Sequence, residues 1–207
     1  MQYNVVFKNN SKNNMNFCLF QKNPDLEKYE ALSLAWLVKS CAPDANLEMK
    51  WEVDYGCSWS RDGALGDVAK YRTWQTKTID PSNSNVVTLS YNHKVNDFYF
   101  GPLRPSSESG KGTLHIVQDG SVPAGLATVG VSMAGIPAIA LKAQPNFTYK
   151  FTPHPKYWAV FGDFTPGDVI DLEELTNVCE IEFKAGESSM YVELNSDNTW
   201  SEPKPLG

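Results

Sequence analysis

Apolar and polar residues alternate in short stretches along most of the chain, and turn-forming residues break those stretches. A period of two places every second side chain on one face, which is the pattern of antiparallel strands with one buried and one wet side. Tyr3, Val5 and Phe7 alternate in residues 3–7, residues 16–20 form a second apolar segment, and the Asn, Lys and Ser of residues 9–14 lie between them. That arrangement predicts a hairpin. Residues 47–55 put Met49, Trp51, Val53 and Tyr55 on one face, and residues 86–91 do the same with Val87, Leu89 and Tyr91. Residues 98–100, 113–117, 127–133, 138–143, 147–151, 158–161, 178–183 and 190–194 continue the pattern. About ten short strands imply two packed sheets or a closed barrel, and the expectation is an all-β, antiparallel two-sheet β-sandwich.

Helical signals are sparse, so at most one or two short helices are expected. In residues 25–39, Leu26, Tyr29, Leu32 and Trp36 fall at helical spacing behind Pro24, but Leu32, Leu34 and Trp36 also alternate. Helix and strand both remain open there. Residues 168–176, with Asp171, Glu173 and Glu174, could form a turn or two. The 207 residues suffice for one sizeable core, and a single domain over 1–207 is expected, with 201–207 as a flexible tail.

Composition narrows the function. A net charge of −6 with no run of Lys or Arg repels phosphate backbones, so nucleic acid is not an expected partner. Apolar stretches near residues 32–38 and 135–141 are too short to span a bilayer. No basic stretch leads into an apolar run at the N-terminus, so the chain reads as cytoplasmic when synthesised, with lysis or a leader-independent exporter as routes outward. Cys18, Cys41, Cys57 and Cys179 match no metal or redox spacing and read as buried thiols.

Catalytic patterns are weak. There are three His; His93 reads as a turn residue and His115 as a wet-face residue, while His154 stands between two prolines on a stiff segment that also presents Tyr157 and Trp158. No metal-binding spacing occurs, and Asp62-Gly63 with Asp67, like Asn195-Ser196-Asp197-Asn198, suits a turn better than a calcium loop. Ser132 lies inside a strand pattern rather than on a nucleophile elbow. Neither a cofactor nor a metal is expected. Flat indoles suit sugar rings and lipid interfaces, which singles out Trp51, Trp59, Trp74, Trp158 and Trp200 for weighing. Trp51 is in phase with the core, whereas Trp59 falls in the polar segment Ser58-Trp59-Ser60-Arg61-Asp62. His154, Tyr157, Trp158 and Trp59 are the candidate ligand-binding residues.

Several longer segments carry a family resemblance: Phe17-Cys18-Leu19-Phe20-Gln21-Lys22-Asn23-Pro24, Ser33-Leu34-Ala35-Trp36, the run from Ala143 to Trp158, and Leu194-Asn195-Ser196-Asp197-Asn198-Thr199-Trp200. In that order they resemble the RhiA family of rhizosphere-expressed proteins over nearly the whole chain. The resemblance implies a protein made abundantly in a particular niche, under population-density control in the type case, and supplies no catalytic residues. Together these readings favour a non-enzymatic module that recognises a carbohydrate or lipid surface. A self-assembling homo-oligomer is the alternative, and a hydrolase using carboxylates or His154 the second.

Overall fold

A computed structural model describes residues 2–23, 26, 28–61, 71–107 and 110–206. Eighteen strands are present among them: β1 (Gln2–Asn9), β2 (Met15–Phe20), β3 (Leu32–Leu34), β4 (Leu37–Cys41), β5 (Asn46–Glu52), β6 (Tyr55–Ser60), β7 (Gln75–Ile79), β8 (Val86–Asn92) and β9 (Asp97–Phe100) come first. They are followed by β10 (Leu114–Gln118), β11 (Thr128–Met133), β12 (Ile136–Lys142), β13 (Phe147–Phe151), β14 (Lys156–Gly162), β15 (Val169–Ile170), β16 (Cys179–Glu182), β17 (Ser189–Leu194) and β18 (Lys204–Pro205). The all-β class holds. The strands lie in four sheets rather than two, and not every pairing is antiparallel, because β1 runs parallel to β17 and β8 parallel to β10. Among the described residues no helix is long and apolar enough to cross a membrane.

The chain forms two compact units. The first comprises Met1–Lys22, Ser33–Val53 and Pro155–Gly207. It contains the sheets β18-β17-β1-β5 and β16-β14-β2-β4, with β3 paired to β15. β1 follows its sequence pattern, burying Tyr3, Val5, Phe7 and Asn9 in turn. The expected hairpin does not form, because β1 and β2 belong to different sheets. Phe7 and Phe17 instead meet face to face, rings 4.7 Å apart at 15°, so residues 9–14 turn a corner from one layer to the next. Buried Asn9 fixes that corner: its Nδ2 donates to the carbonyls of Asn13 (2.9 Å) and Cys41 (3.0 Å), and its Oδ1 accepts from Ser11 N–H and Oγ–H.

For residues 25–39 the extended reading prevails. Leu26 alone is helical among those described, and the chain then runs through β3 and β4. The link between them is held by other segments, Ala35 N–H donating to Asp168 O and Trp36 N–H to Leu19 O, and Leu34, Ala35 and Trp36 are buried together. Residues 172–174 form a turn and no helix. Residues 201–207, expected as a tail, contribute β18, where Met190 pairs with Pro205.

The second unit comprises Asn23–Leu32 and Asp54–His154. It contains the sheet β13-β10-β8-β9 and the run β12-β11-β6-β7. Residues 47–55 are not one strand, since the chain breaks after Glu52 and β6 starts at Tyr55. β11 is buried along its whole length, so Ser132 is covered rather than wet. β11 and β12 join through Ala134 and Gly135, both at positive φ (49° and 71°), the backbone that a tight two-residue turn needs to match strand twist.

Candidate functional site

The four candidate residues fall in different places. Tyr157 is 1% exposed in the first unit's core, where its hydroxyl accepts from Trp51 Nε1 at 3.2 Å and its ring stacks on Trp36 at 5.8 Å. Burial pushes its phenol up to about 12. Trp158, next along β14, is half-buried beside Phe20, with Lys22 and Lys156 ammonium groups 5.2 and 5.6 Å from its ring. His154 is exposed and, like Trp59, belongs to the second unit. Trp59 does not lie on a rim beyond a strand: it sits within β6, 3% exposed. Asp62, Gly63 and Asp67 lie outside the described residues. Among the described residues no group of three or more His, Cys, Asp or Glu is placed to hold a metal ion.

Trp59 matters as a support. β6 and β7 pair antiparallel with Trp59 opposite Gln75, and Trp59 Nε1 donates to Gln75 Oε1 at 2.8 Å, which fixes the indole plane. On it lies Trp74, ring centroids 6.4 Å apart and planes at 19°. Trp74 N–H donates to Trp59 O at 2.9 Å, so the two indoles are tied by backbone as well as by stacking. Trp74 is 60% exposed, a large apolar surface held toward water. The Arg61 guanidinium stands 5.3 Å from its ring.

Arg61 is itself oriented. Its Nη2 and Nε reach Asp97 Oδ1 at 2.9 and 3.2 Å, and Nη2 also donates to the Asn96 carbonyl. Asp97 Oδ1 accepts in addition from Phe98 N–H at 2.8 Å, and the Tyr91 hydroxyl donates to Asn96 Oδ1. Phe98 packs between Trp59 (5.5 Å) and Tyr91 (4.8 Å). Exposed ion pairs and cation–π contacts contribute only about 1 kcal/mol or less each, so their effect here is to orient groups rather than to hold the fold. The result is a flat indole bordered by a guanidinium, a carboxylate and a carboxamide, a surface able to stack on a ring and hydrogen-bond at its edge.

Trp74 was detectable in the sequence, by a different signal from the one that picked Trp59. It stands in Arg72-Thr73-Trp74-Gln75-Thr76-Lys77, where no apolar neighbour alternates with it. An indole alone in a polar run has no core face to join.

The thiols have no place in this surface. Cys18, Cys57 and Cys179 are pushed up to about 12 by burial, with Asp168 and Glu180 adding to it for Cys18 and Cys179; Cys41 is raised by burial too. Since thiolate is the reactive form, Ellman's reagent is expected to label none of the four in the native protein and all four in denaturant. Stoichiometric labelling within minutes under native conditions would contradict this.

No curated protein and no solved structure compared with the chain matches it. A family model described as RhiA matches residues 1–202, nearly the full length. The chain belongs to the RhiA family.

Proposed function

We propose that the protein is a non-enzymatic recognition module that binds carbohydrate through the Trp74 platform. The observation that carries this reading is an indole 60% exposed yet fixed in orientation by a second indole beneath it. A preoriented aromatic loses little freedom on binding, which is where flexible surfaces lose affinity. Its neighbours favour a sugar over a lipid. Arg61 is neutralised by Asp97, so the rim offers mixed donors and acceptors instead of the net positive charge that anionic headgroups attract.

Assembly through sheet edges is less well supported. Side chains of β7 meet the open edge of β9: Lys77 Nζ donates to Gly101 O at 2.6 Å, and Gln75 Oε1 accepts from Phe100 N–H. β5 carries Glu48, Lys50 and Glu52, β16 carries Glu180 and Glu182, and β18 is two residues ending in Pro205. Short, charged or proline-bearing edges resist pairing with a second sheet.

The test is a glycan array followed by fluorescence titration of the oligosaccharides that bind, using wild type, Trp74→Ala and Trp158→Ala. Loss of a central aromatic anchor removes roughly 2 kcal/mol or more, about thirtyfold in Kd. Trp74→Ala is expected to lose that much with an unchanged circular dichroism spectrum, and Trp158→Ala to bind as wild type. Equal binding by Trp74→Ala would overturn the reading. Binding to phosphatidylcholine vesicles but to no glycan, lost in Trp74→Ala, would keep the platform and replace its ligand.

A further inference from the structure

The ion pair beside Trp74 is joined through one carboxylate oxygen. Arg61 Nη2 and Nε both donate to Asp97 Oδ1, at 2.9 and 3.2 Å, and Phe98 N–H donates to the same oxygen at 2.8 Å. A guanidinium and a carboxylate frequently meet fork to fork, two N–H groups on two oxygens, and each then satisfies the other. Here Oδ1 takes three donors, and among the described residues Oδ2 takes none. Arg61 is used on one side in the same way. Its Nε and Nη2 are engaged by Asp97 and the Asn96 carbonyl, and among the described residues no hydrogen-bond acceptor meets Nη1.

The backbone keeps the pair from closing into a fork. β9 pairs with β8 from Leu89 opposite Phe100 to Asn92 opposite Asp97, so the Phe98 N–H that binds Oδ1 is set by a sheet. The Asn96 carbonyl that binds Nη2 is set by the turn between the two strands, where Asn96 has φ 57° and the Tyr91 hydroxyl donates to its side chain. Both charged side chains remain accessible, 38% exposed for Arg61 and 44% for Asp97. A carboxylate oxygen and a guanidinium N–H are thereby offered to water from a fixed pair, at the border of an indole whose ring centre is 5.3 Å from the guanidinium carbon.

Charge decides what such a pair accepts. An anionic group would satisfy Nη1 and be repelled by Asp97, and a cationic group would do the reverse; setting like charges together is strongly disfavoured. A hydroxyl both donates and accepts. Two neighbouring hydroxyls therefore serve both atoms at once, one donating to the carboxylate and the other accepting from the guanidinium, and hydrogen bonds to charged partners are the strong ones.

We propose that Asp97 and Arg61 set the specificity of the Trp74 platform: Asp97 Oδ2 accepts from one hydroxyl of an uncharged pyranose, and Arg61 Nη1 donates to the hydroxyl next to it. This rests on Trp74 being the sugar platform and adds the class of sugar, a neutral ring with two adjacent free hydroxyls at its edge. Uronic acids, sulfated sugars and rings substituted at either hydroxyl are rejected.

The test is titration of methyl β-D-glucopyranoside, methyl β-D-galactopyranoside and methyl α-D-mannopyranoside into isotopically labelled wild type, Asp97→Asn and Trp74→Ala, read by amide and indole N–H shifts. The monodeoxy forms of the tightest binder are titrated next. Saturable shifts at Trp74, Asp97 and Phe98 are expected, and two adjacent deoxy positions should each weaken binding about tenfold. Asp97→Asn keeps an acceptor for Phe98 N–H and puts an NH2 group in place of Oδ2, which should also cost about tenfold. One deoxy loss and the Asp97→Asn loss should not add, because they remove the same hydrogen bond. Binding that depends on Trp74 but is untouched by every deoxygenation or by Asp97→Asn, or losses that add in full for each deoxy form, would overturn the proposal and leave the platform standing. Binding of none of the three sugars, or binding that Trp74→Ala retains, would overturn the platform and this proposal with it.

Discussion

Replacing Trp51 by alanine is expected to destabilise the first unit by about 3–5 kcal/mol, the range for removing a large aromatic side chain from a packed core. Trp51 lies at the centre of an aromatic cluster. Its ring meets Tyr157 edge-on at 4.9 Å, Trp36 edge-on at 5.3 Å, Tyr3 at 5.9 Å and Phe183 at 6.0 Å. Truncation leaves a cavity that four rigid rings cannot collapse to fill, and it takes the Trp51 Nε1–H donor from the buried Tyr157 hydroxyl. Trp51→Phe keeps most of the ring and loses the donor, so about 1–2 kcal/mol is expected from the hydrogen bond and the smaller ring. Domains of this size have only about 5–15 kcal/mol in hand, so Trp51→Ala would fold with little margin. Urea unfolding reads the effect as a lower midpoint at unchanged slope. A midpoint no lower than that of Glu52→Ala, an exposed neighbour on the same strand, would show that the cluster does not act as one packed unit.

Trp51 also illustrates what a linear sequence can convey. Its phase with Met49 marks a buried face, and the structure buries both residues. Period two states which face a side chain takes, and most strands of the second half were legible for that reason. It says nothing about which strand lies alongside. β1 pairs in parallel with β17, Val5 beside Met190, across almost the entire chain, and no local pattern encodes such a partner. The nearest strand, β2, looked like the obvious hairpin mate and went to another sheet. Residues 25–39 stayed open for a different reason: helical and strand spacing coincide there, and the deciding hydrogen bonds come from Leu19 and Asp168, outside the segment itself.

The candidate site was half legible by the same logic. Aromatic richness pointed to indoles, but the local polarity around Trp59 proved to belong to the covered face of β6, where Ser58 and Ser60 are buried as well. The indole held well into solvent is Trp74, which stacks on Trp59 from just before β7. Asn85 left no trace at all: a buried asparagine looks, in sequence, like any turn residue between Ser84 and Val86.

That asparagine carries the second large prediction. Asn85→Ala is expected to cost about 3 kcal/mol, because it leaves the Thr113 carbonyl and the Ser106 N–H without their Asn85 partner and takes one of two donors from the Gly110 carbonyl, and an orphaned buried group costs about 1–3 kcal/mol. Asn85→Asp, nearly identical in shape, should be no milder at neutral pH. Its carboxylate would face the same two carbonyls as an acceptor against acceptors, which disfavours the charged form and raises the carboxyl's pKa in the folded state above its unfolded value of about 3.9. The unfolded chain then gives up its proton first as pH rises. The penalty of Asn85→Asp relative to wild type is therefore small below about pH 4, grows as pH rises past that value, and levels off above the folded-state pKa. Asn85→Ala has no such group, and its penalty should be flat with pH. Urea midpoints for the two variants across pH 3–8 distinguish these outcomes. A pH-independent cost for Asn85→Asp, or a cost for Asn85→Ala near zero, would mean that Asn85 does not hold the loop. If it does, hydrogen exchange at Gly110 and Thr113 rises in both variants, and binding at Trp74 is untouched, because that platform is fixed by Trp59, Gln75 and Arg61.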